Sequence, residues 1–183
     1  DTSAIEKIVD EIFVPVLREL SNRGIRYSGF LYAGLFIEKS GSVKVLEFNC
    51  RCGDPETQVI MLRMQSDIVP VFEALAHQRL SAVELQWKRE AATCVVMASK
   101  GYPKDPEDGK VIHGLEKMPE NVHVFHAGTI ADLEAPDQVL TKGGRILTVA
   151  ALADTVSEAA AAVYRDIGNI HFEGVQYRKD IGK

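Results

Sequence analysis

A chain of 183 residues that is 46% hydrophobic and 26% charged can build one good core or two small ones, and it shows neither an apolar span of about 20 residues nor a cleavable leader. A formal charge of -5 excludes a general nucleic-acid binder, since phosphate backbones demand clustered Lys and Arg, and any phosphate bound here is expected to be small and locally held. We therefore expect a soluble, cytoplasmic protein with no nucleic-acid or membrane partner. Cys50, Cys52 and Cys94 have no CxxC spacing, which argues against structural zinc and disulfides and makes Cys50 and Cys52 small buried hydrophobes. The sequence opens inside a helical pattern without an initiator Met, as a piece of a longer protein would.

In chain order, Ile5, Ile8, Val9, Ile12, Phe13, Val16, Leu17 and Leu20 recur at helical spacing, with Ser3 and Glu6 as a capping box. Pro15 inside this helix predicts a kink or break, and Gly24 a C-cap. "GFLYAGLFIE" and "VKVLEFN", joined by "KSGS", predict an antiparallel hairpin with Gly41 in its turn. On the second strand Lys44, Leu46 and Phe48 share one face, expected to be packed. Val45, Glu47 and Asn49, and Arg51 if the strand persists, share the other.

Asp54 and Pro55 then predict the start of a helix over "ETQVIMLRMQ". Another helix, capped by Asp67, has Pro70 in its first turn and Ile68, Phe72, Leu75 and Ala76 on one stripe. From about Ala91 the pattern changes to short strands: "ATCVVMAS", "KVIHGL", "VHVFHAG", "QVLTKGG", "RILTVAAL" and "GVQYRKDI". One helix interrupts them, with a Thr155/Glu158 capping box and Val156, Ala160, Val163, Tyr164 and Ile167 facing inward. The expected fold is α+β: residues 1–90 form a hairpin-and-helix unit, and 91–183 a small α+β unit of short strands and one helix.

Residues two apart on a strand project from one face, so Glu47 and Asn49 can offer oxygens to one small region. Hard oxygen ligands suit Mg2+, which is commonly held together with substrate phosphates, and Arg51 would add a fixed charge beside that phosphate. Taken alone, E-x-N-x-R is a weak signal and fits a solvated strand face somewhat better. The continuation carries more information. "EFNCRCGDPETQ" resembles the signature of the glycinamide ribonucleotide synthetases, also called phosphoribosylamine glycine ligases, whose members usually read R-F-G-D-P-E-T-Q. "GFLYAGL", "IMLRMQSD", "VVMASKGYP", "VIHGL", "VFHAGT", "GGRILTVAAL" and "RKDIG" agree with it in the same order.

That resemblance implies an ATP-grasp enzyme in which ATP phosphorylates glycine and 5-phosphoribosylamine captures the glycyl phosphate, giving glycinamide ribonucleotide, ADP and phosphate in purine synthesis. It implies Mg2+ or Mn2+ held by Glu47 and Asn49, and Arg51 steadying the transferred phosphoryl group. Asp54 and Glu56 belong to its G-D-P-E turn, where substrate contact competes with a helix cap and a favourable first-turn charge. "KGGR" with Arg145 can cradle a sugar phosphate or form a plain hairpin turn. Arg178 and Lys179 face the same cleft or a solvated strand end. His113 and His126 read as core or edge histidines rather than bases.

Two departures stand out. Cys52 replaces the usual Phe, and the hairpin sets Gly34 and Leu35 opposite Glu47, where many ATP-grasp enzymes carry a second metal carboxylate. The only acid on that strand, Glu38, lies by the turn. The resemblance also implies that an N-terminal domain and a nucleotide-covering lobe precede residue 1, so these residues alone are expected to bind ATP poorly and not to turn over. The competing readings are another ATP-grasp carboxylate-amine ligase and a non-catalytic interaction module of a multifunctional purine enzyme.

Overall fold

The structure, a computed structural model, describes residues 2–182. The first helical pattern becomes α1 (Thr2–Ile8), a π-helical turn (Val9–Phe13) and α2 (Val14–Asn22). Pro15, in the first turn of α2, has no N–H to give the preceding turn and a ring that presses on it, and a widened turn relieves both. Within it the Val14 N–H reaches back five residues to the Val9 carbonyl. The extra residue in that turn changes the predicted stripe. Ile8, Ile12, Val16 and Leu20, four apart, are half-buried, whereas Ile5, Val9 and Leu17 are exposed. Ser3 lies inside α1 and so is not its cap residue. At the other end Gly24 takes a φ of 74°, and the Ile25 N–H donates to the Leu20 carbonyl at 2.9 Å, closing a Schellman turn.

β1 (Tyr32–Ile37) and β2 (Val43–Asn49) form the expected antiparallel hairpin, with Gly41 at a φ of 84° donating to the Glu38 carbonyl. The ladder shifts between Gly34 and Leu35: Gly34 pairs with Glu47 but Leu35 with Val45, so Leu46 is the extra residue of a bulge. Since paired residues share a face, Lys44 joins Glu47 and Asn49, and Val45 joins Phe48, the reverse of the alternation expected for that pair. The apolar face is not packed as expected: Leu46 is 71% exposed and Phe48 43%.

Two more helices follow, α3 (Glu56–Arg63) and α4 (Ile68–Ala76). In α4 the buried residues are Val71 and Ala74, while Phe72 is exposed and meets the Phe30 ring edge-on at 6.2 Å. The expected stripe of Ile68, Phe72, Leu75 and Ala76 is displaced because only Glu73 interrupts the apolar run, leaving periodicity little to select a face.

The remaining chain forms β3 (Ala91–Ala98), β4 (Val111–Ile112), β5 (Val122–His126), β6 (Thr129–Ala131), β7 (Val139–Thr141), β8 (Arg145–Ala153) and α5 (Val156–Asp166). Two antiparallel three-stranded sheets result, in the orders β3-β8-β5 and β4-β7-β6. β8 is buried from Ile146 to Ala151, as a nearly continuous apolar run permits. α5 lays Ala159, Ala160 and Val163 against β3 and β8, and Met97, Leu147, Ile167 and Phe172 complete a buried apolar core. The Thr155/Glu158 capping box is present.

Val156, expected inside, is 52% exposed because it sits at the first position of α5, before the helix reaches the sheet. The last predicted strand, 174–181, is absent. Only Gln176 bridges to β3, through Ala98, and the rest is tied to α5 instead: the Tyr164 hydroxyl donates to the Arg178 carbonyl and accepts from the Ile181 N–H, each at 3.0 Å.

The chain divides into two compact units. One comprises the residues up to Gly53 together with Ile68–Glu84, and the other Asp54–Asp67 with the chain from Leu85 onward. α3 belongs to the second because Arg63 donates to the carbonyls of Glu90 and Lys88, at 2.8 and 3.1 Å, and the Cys94 thiol approaches the Pro55 carbonyl.

Candidate functional site

Glu47 and Asn49 end β2, paired with Gly34 and Tyr32, so both side chains leave the same face of the hairpin. Glu47 is exposed and Asn49 half-buried, and neither side chain has a hydrogen-bond or ion-pair partner among the described residues. Lys44, on that face beyond the bulge, has its ammonium held by Glu38. A free carboxylate and a free amide oxygen form a small, hard donor set. They fit a divalent cation that takes its remaining ligands from water and phosphate, not an all-protein cage. The described residues contain no cluster of three or more His, Cys, Asp or Glu able to hold a metal.

Arg51 follows β2 as an exposed side chain whose one bond among the described residues runs from Nη1 to the Cys52 carbonyl at 3.2 Å, which leaves most of its fork to solvent. Cys50 is exposed, contrary to the buried reading, and Cys52 is half-buried. At residue 50 the strand opens into a bend, so alternation no longer turns the side chain inward. A hydrogen bond with Cys50 raises the Tyr27 phenol above its usual value, with burial adding to it.

In the second unit Asp54 does not cap α3. Pro55 occupies the cap position with no side-chain cap bond, and the Asp54 carboxylate turns instead to the Gln58 amide at 2.8 Å and to Arg145 at 3.4 Å. Arg145 Nη1 also donates to the Asp54 carbonyl at 2.7 Å. Arg145 thus grips the Asp54 turn from both its main chain and its side chain. Glu56 lies half-buried in the first turn of α3.

Burial, with Glu56 and then Asp54 adding their charges, pushes the Cys94 thiol up to about 11. Two of the "KGGR" amides are already engaged and not free to cradle a phosphate: the Lys142 N–H donates to the Gly128 carbonyl at 2.8 Å, and that of Gly143 is taken as well. The Gly143 N–H donates to Asp108 at 2.5 Å, and the Gly143 carbonyl accepts from Ser99 at 2.8 Å. A side chain at Gly144 would stand 2.4 Å from the Tyr102 ring.

Arg178 forms a two-bond pair with Asp180, at 2.9 and 2.6 Å, and is thereby committed to its own segment. Lys179 lies along an open hollow of about 460 Å³ with Tyr164 and Tyr177. His113 and His126 are exposed: His113 is bridged through its backbone to His171, and His126 Nδ1 is 3.1 Å from the Thr129 hydroxyl.

The structure therefore brings together Glu47 with Asn49, and Asp54 with Arg145. It adds two residues that sequence reading did not single out. Gln58 carried a signal, since it stands one helical turn after Asp54. Asp108 carried none, because its partner is 35 residues away.

Residues 92–183 match the family model described as Phosphoribosylglycinamide synthetase, C domain, and residues 1–57 match Phosphoribosylglycinamide synthetase, ATP-grasp (A) domain. The phosphoribosylamine--glycine ligase of Ralstonia nicotianae is 48% identical over 176 residues, which cover 96% of this chain and 41% of that protein. The protein of the same name from Escherichia coli O157:H7 is 47% identical over 178 residues, covering 97% and 41%. The crystal structure of the phosphoribosylamine--glycine ligase of Thermotoga maritima gives a TM-score of 0.77 at 33% identity, over 97% of this chain and 43% of that one. The chain spans about two-fifths of the length of these curated relatives.

Proposed function

Because the chain belongs to the phosphoribosylglycinamide synthetase family, we propose that it is the C-terminal portion of an ATP-dependent ligase that joins glycine to 5-phosphoribosylamine. In this reading a glycine carboxylate oxygen takes the γ-phosphoryl group of ATP and ADP leaves. The amine of 5-phosphoribosylamine then attacks the glycyl carbonyl, phosphate departs, and glycinamide ribonucleotide forms. The place of such a reaction is purine synthesis in the cytoplasm, on a polypeptide that also carries the nucleotide-covering domains. Relatives more than twice this length support that last point.

The observation that carries the reading is the pair of unpartnered oxygens, from Glu47 and Asn49, on one strand face. They would hold Mg2+ or Mn2+, which supplies neutralising charge between the ATP phosphates. Glu47 contributes the full negative charge and Asn49 a neutral oxygen that fixes direction. Arg51, two residues on and open to solvent, would offer its guanidinium to the oxygens of the transferred group, where charge spreads as the bond to ADP lengthens. Asp54 and Glu56 sit on a turn that Arg145 and Gln58 hold in one conformation, as a surface for substrate requires. Arg145 thus supports that turn, and it is not assigned to the sugar phosphate.

Replacing Glu47 by Gln in the natural full-length polypeptide tests the proposal. Metal-dependent nucleotide binding and ligase turnover are both expected to be lost, while the melting temperature stays the same. Unchanged binding and turnover would leave the chain as an interaction module rather than one wall of a catalytic site.

A further inference from the structure

Gly34 stands in the interior of β1, directly across the ladder from Glu47. A glycine there costs strand stability and calls for a reason. Backbone freedom is not the reason, because Gly34 is absent from the glycines with positive φ. Nor is it the inserted residue of the bulge, which is Leu46 on the opposite strand. Space is the remaining reason. A Cβ built on Gly34 would lie 3.1 Å from Glu47 Cγ and 3.8 Å from its Oε1, with the Tyr32 ring at 3.7 Å. The Glu47 side chain therefore lies against the bare backbone of β1, close enough that a Cβ at 34 would press on its stem.

We propose that Gly34 is a positioning residue for the metal-binding carboxylate: its missing side chain lets Glu47 fold across the ladder and present its oxygens on the same face as the amide oxygen of Asn49. This rests on the assignment of Glu47 and Asn49 to the cation. The bulge beginning next to Gly34 places Lys44 on this face as well, and its ammonium is engaged by Glu38 and not by Glu47. A methyl group at 34 would have to displace Glu47 by a few tenths of an ångström, since the contact at 3.1 Å involves the Glu47 stem and not a mobile tip. Ligand geometry held by neighbours of the ligand typically controls metal affinity by about ten- to a hundredfold.

The test is Mn2+ binding to the natural full-length polypeptide with a non-hydrolysable ATP analogue, followed by electron paramagnetic resonance, for Gly34→Ala and Glu47→Gln. Gly34→Ala is expected to weaken Mn2+ binding about tenfold. It should also raise the metal concentration for half-maximal turnover, leave kcat at saturating metal near the parent value, and keep the melting temperature. Mn2+ binding equal to the parent's would overturn the proposal, and so would loss of the fold, because the role assigned to Gly34 is to leave room for Glu47 and not to pack. If Glu47→Gln also binds Mn2+ normally, the assignment of the site itself fails. If Glu47→Gln loses binding while Gly34→Ala does not, only the role of Gly34 fails.

Discussion

Replacing Arg145 by Met retains the aliphatic stem but removes the guanidinium fork, and so isolates the grip on the Asp54 turn. Two interactions go: the Nη1 donation to the Asp54 carbonyl at 2.7 Å and the pairing with its carboxylate at 3.4 Å. A hydrogen bond from a charged donor contributes about 1.5–3 kcal/mol when well shielded. Arg145 is 43% and Asp54 38% exposed, however, so water competes for both and the ion pair itself adds only about 0–1 kcal/mol. The discounted sum is about 1.5 kcal/mol, or roughly 5 °C in melting temperature for a unit of this size. Calorimetry would measure the shift, and amide exchange at Glu56 and Thr57 would report whether the turn loosens. A melting temperature within about 1 °C of the parent, with exchange unaltered, would refute the anchoring role and return Arg145 to the ligand-binding residues that the sequence suggested.

Alkylation with iodoacetamide at mildly alkaline pH should modify the exposed Cys50 first and leave Cys94 as the last thiol to react, since burial keeps it protonated up to about 11; peptide mapping by mass spectrometry reads the order, and early labelling of Cys94 would contradict it. The Gly143 N–H, and after it Lys142, hold the Asp108 carboxyl below its usual 3.8, so its contribution to stability is fully present above that value and is lost as pH falls through the lower folded one. Asp108→Asn should therefore lower the melting temperature by a constant amount near neutrality, with the difference from the parent closing below pH 3.8; a difference that persists unchanged into acid would show that the charge plays no part.

Much of the hairpin was legible because it is local. The spacing of Glu47 and Asn49, the glycine of the turn and the capping box of α5 are all set within a few residues. What escaped was set at a distance. Parity along β2 fails at Leu46, and no property of Leu46 announces a bulge, which exists only once β1 supplies the register. Asp54 has the makings of a helix cap, yet its strongest partner is 91 residues away. "GVQYRKDI" alternates like a strand, but Tyr164 takes two of its backbone groups before a neighbouring strand can. In each case a local propensity was sound and a tertiary partner outbid it.

The widened turn before Pro15 makes spacing, more than side-chain identity, the inherited property of the N-terminal helix. Each residue added to or taken from a helix swings everything after it by about 100°. Removing one residue between Val9 and Phe13 would let the widened turn close to an ordinary α-turn and keep Val16 and Leu20 on the side shared with Ile8, whereas adding one would swing them away.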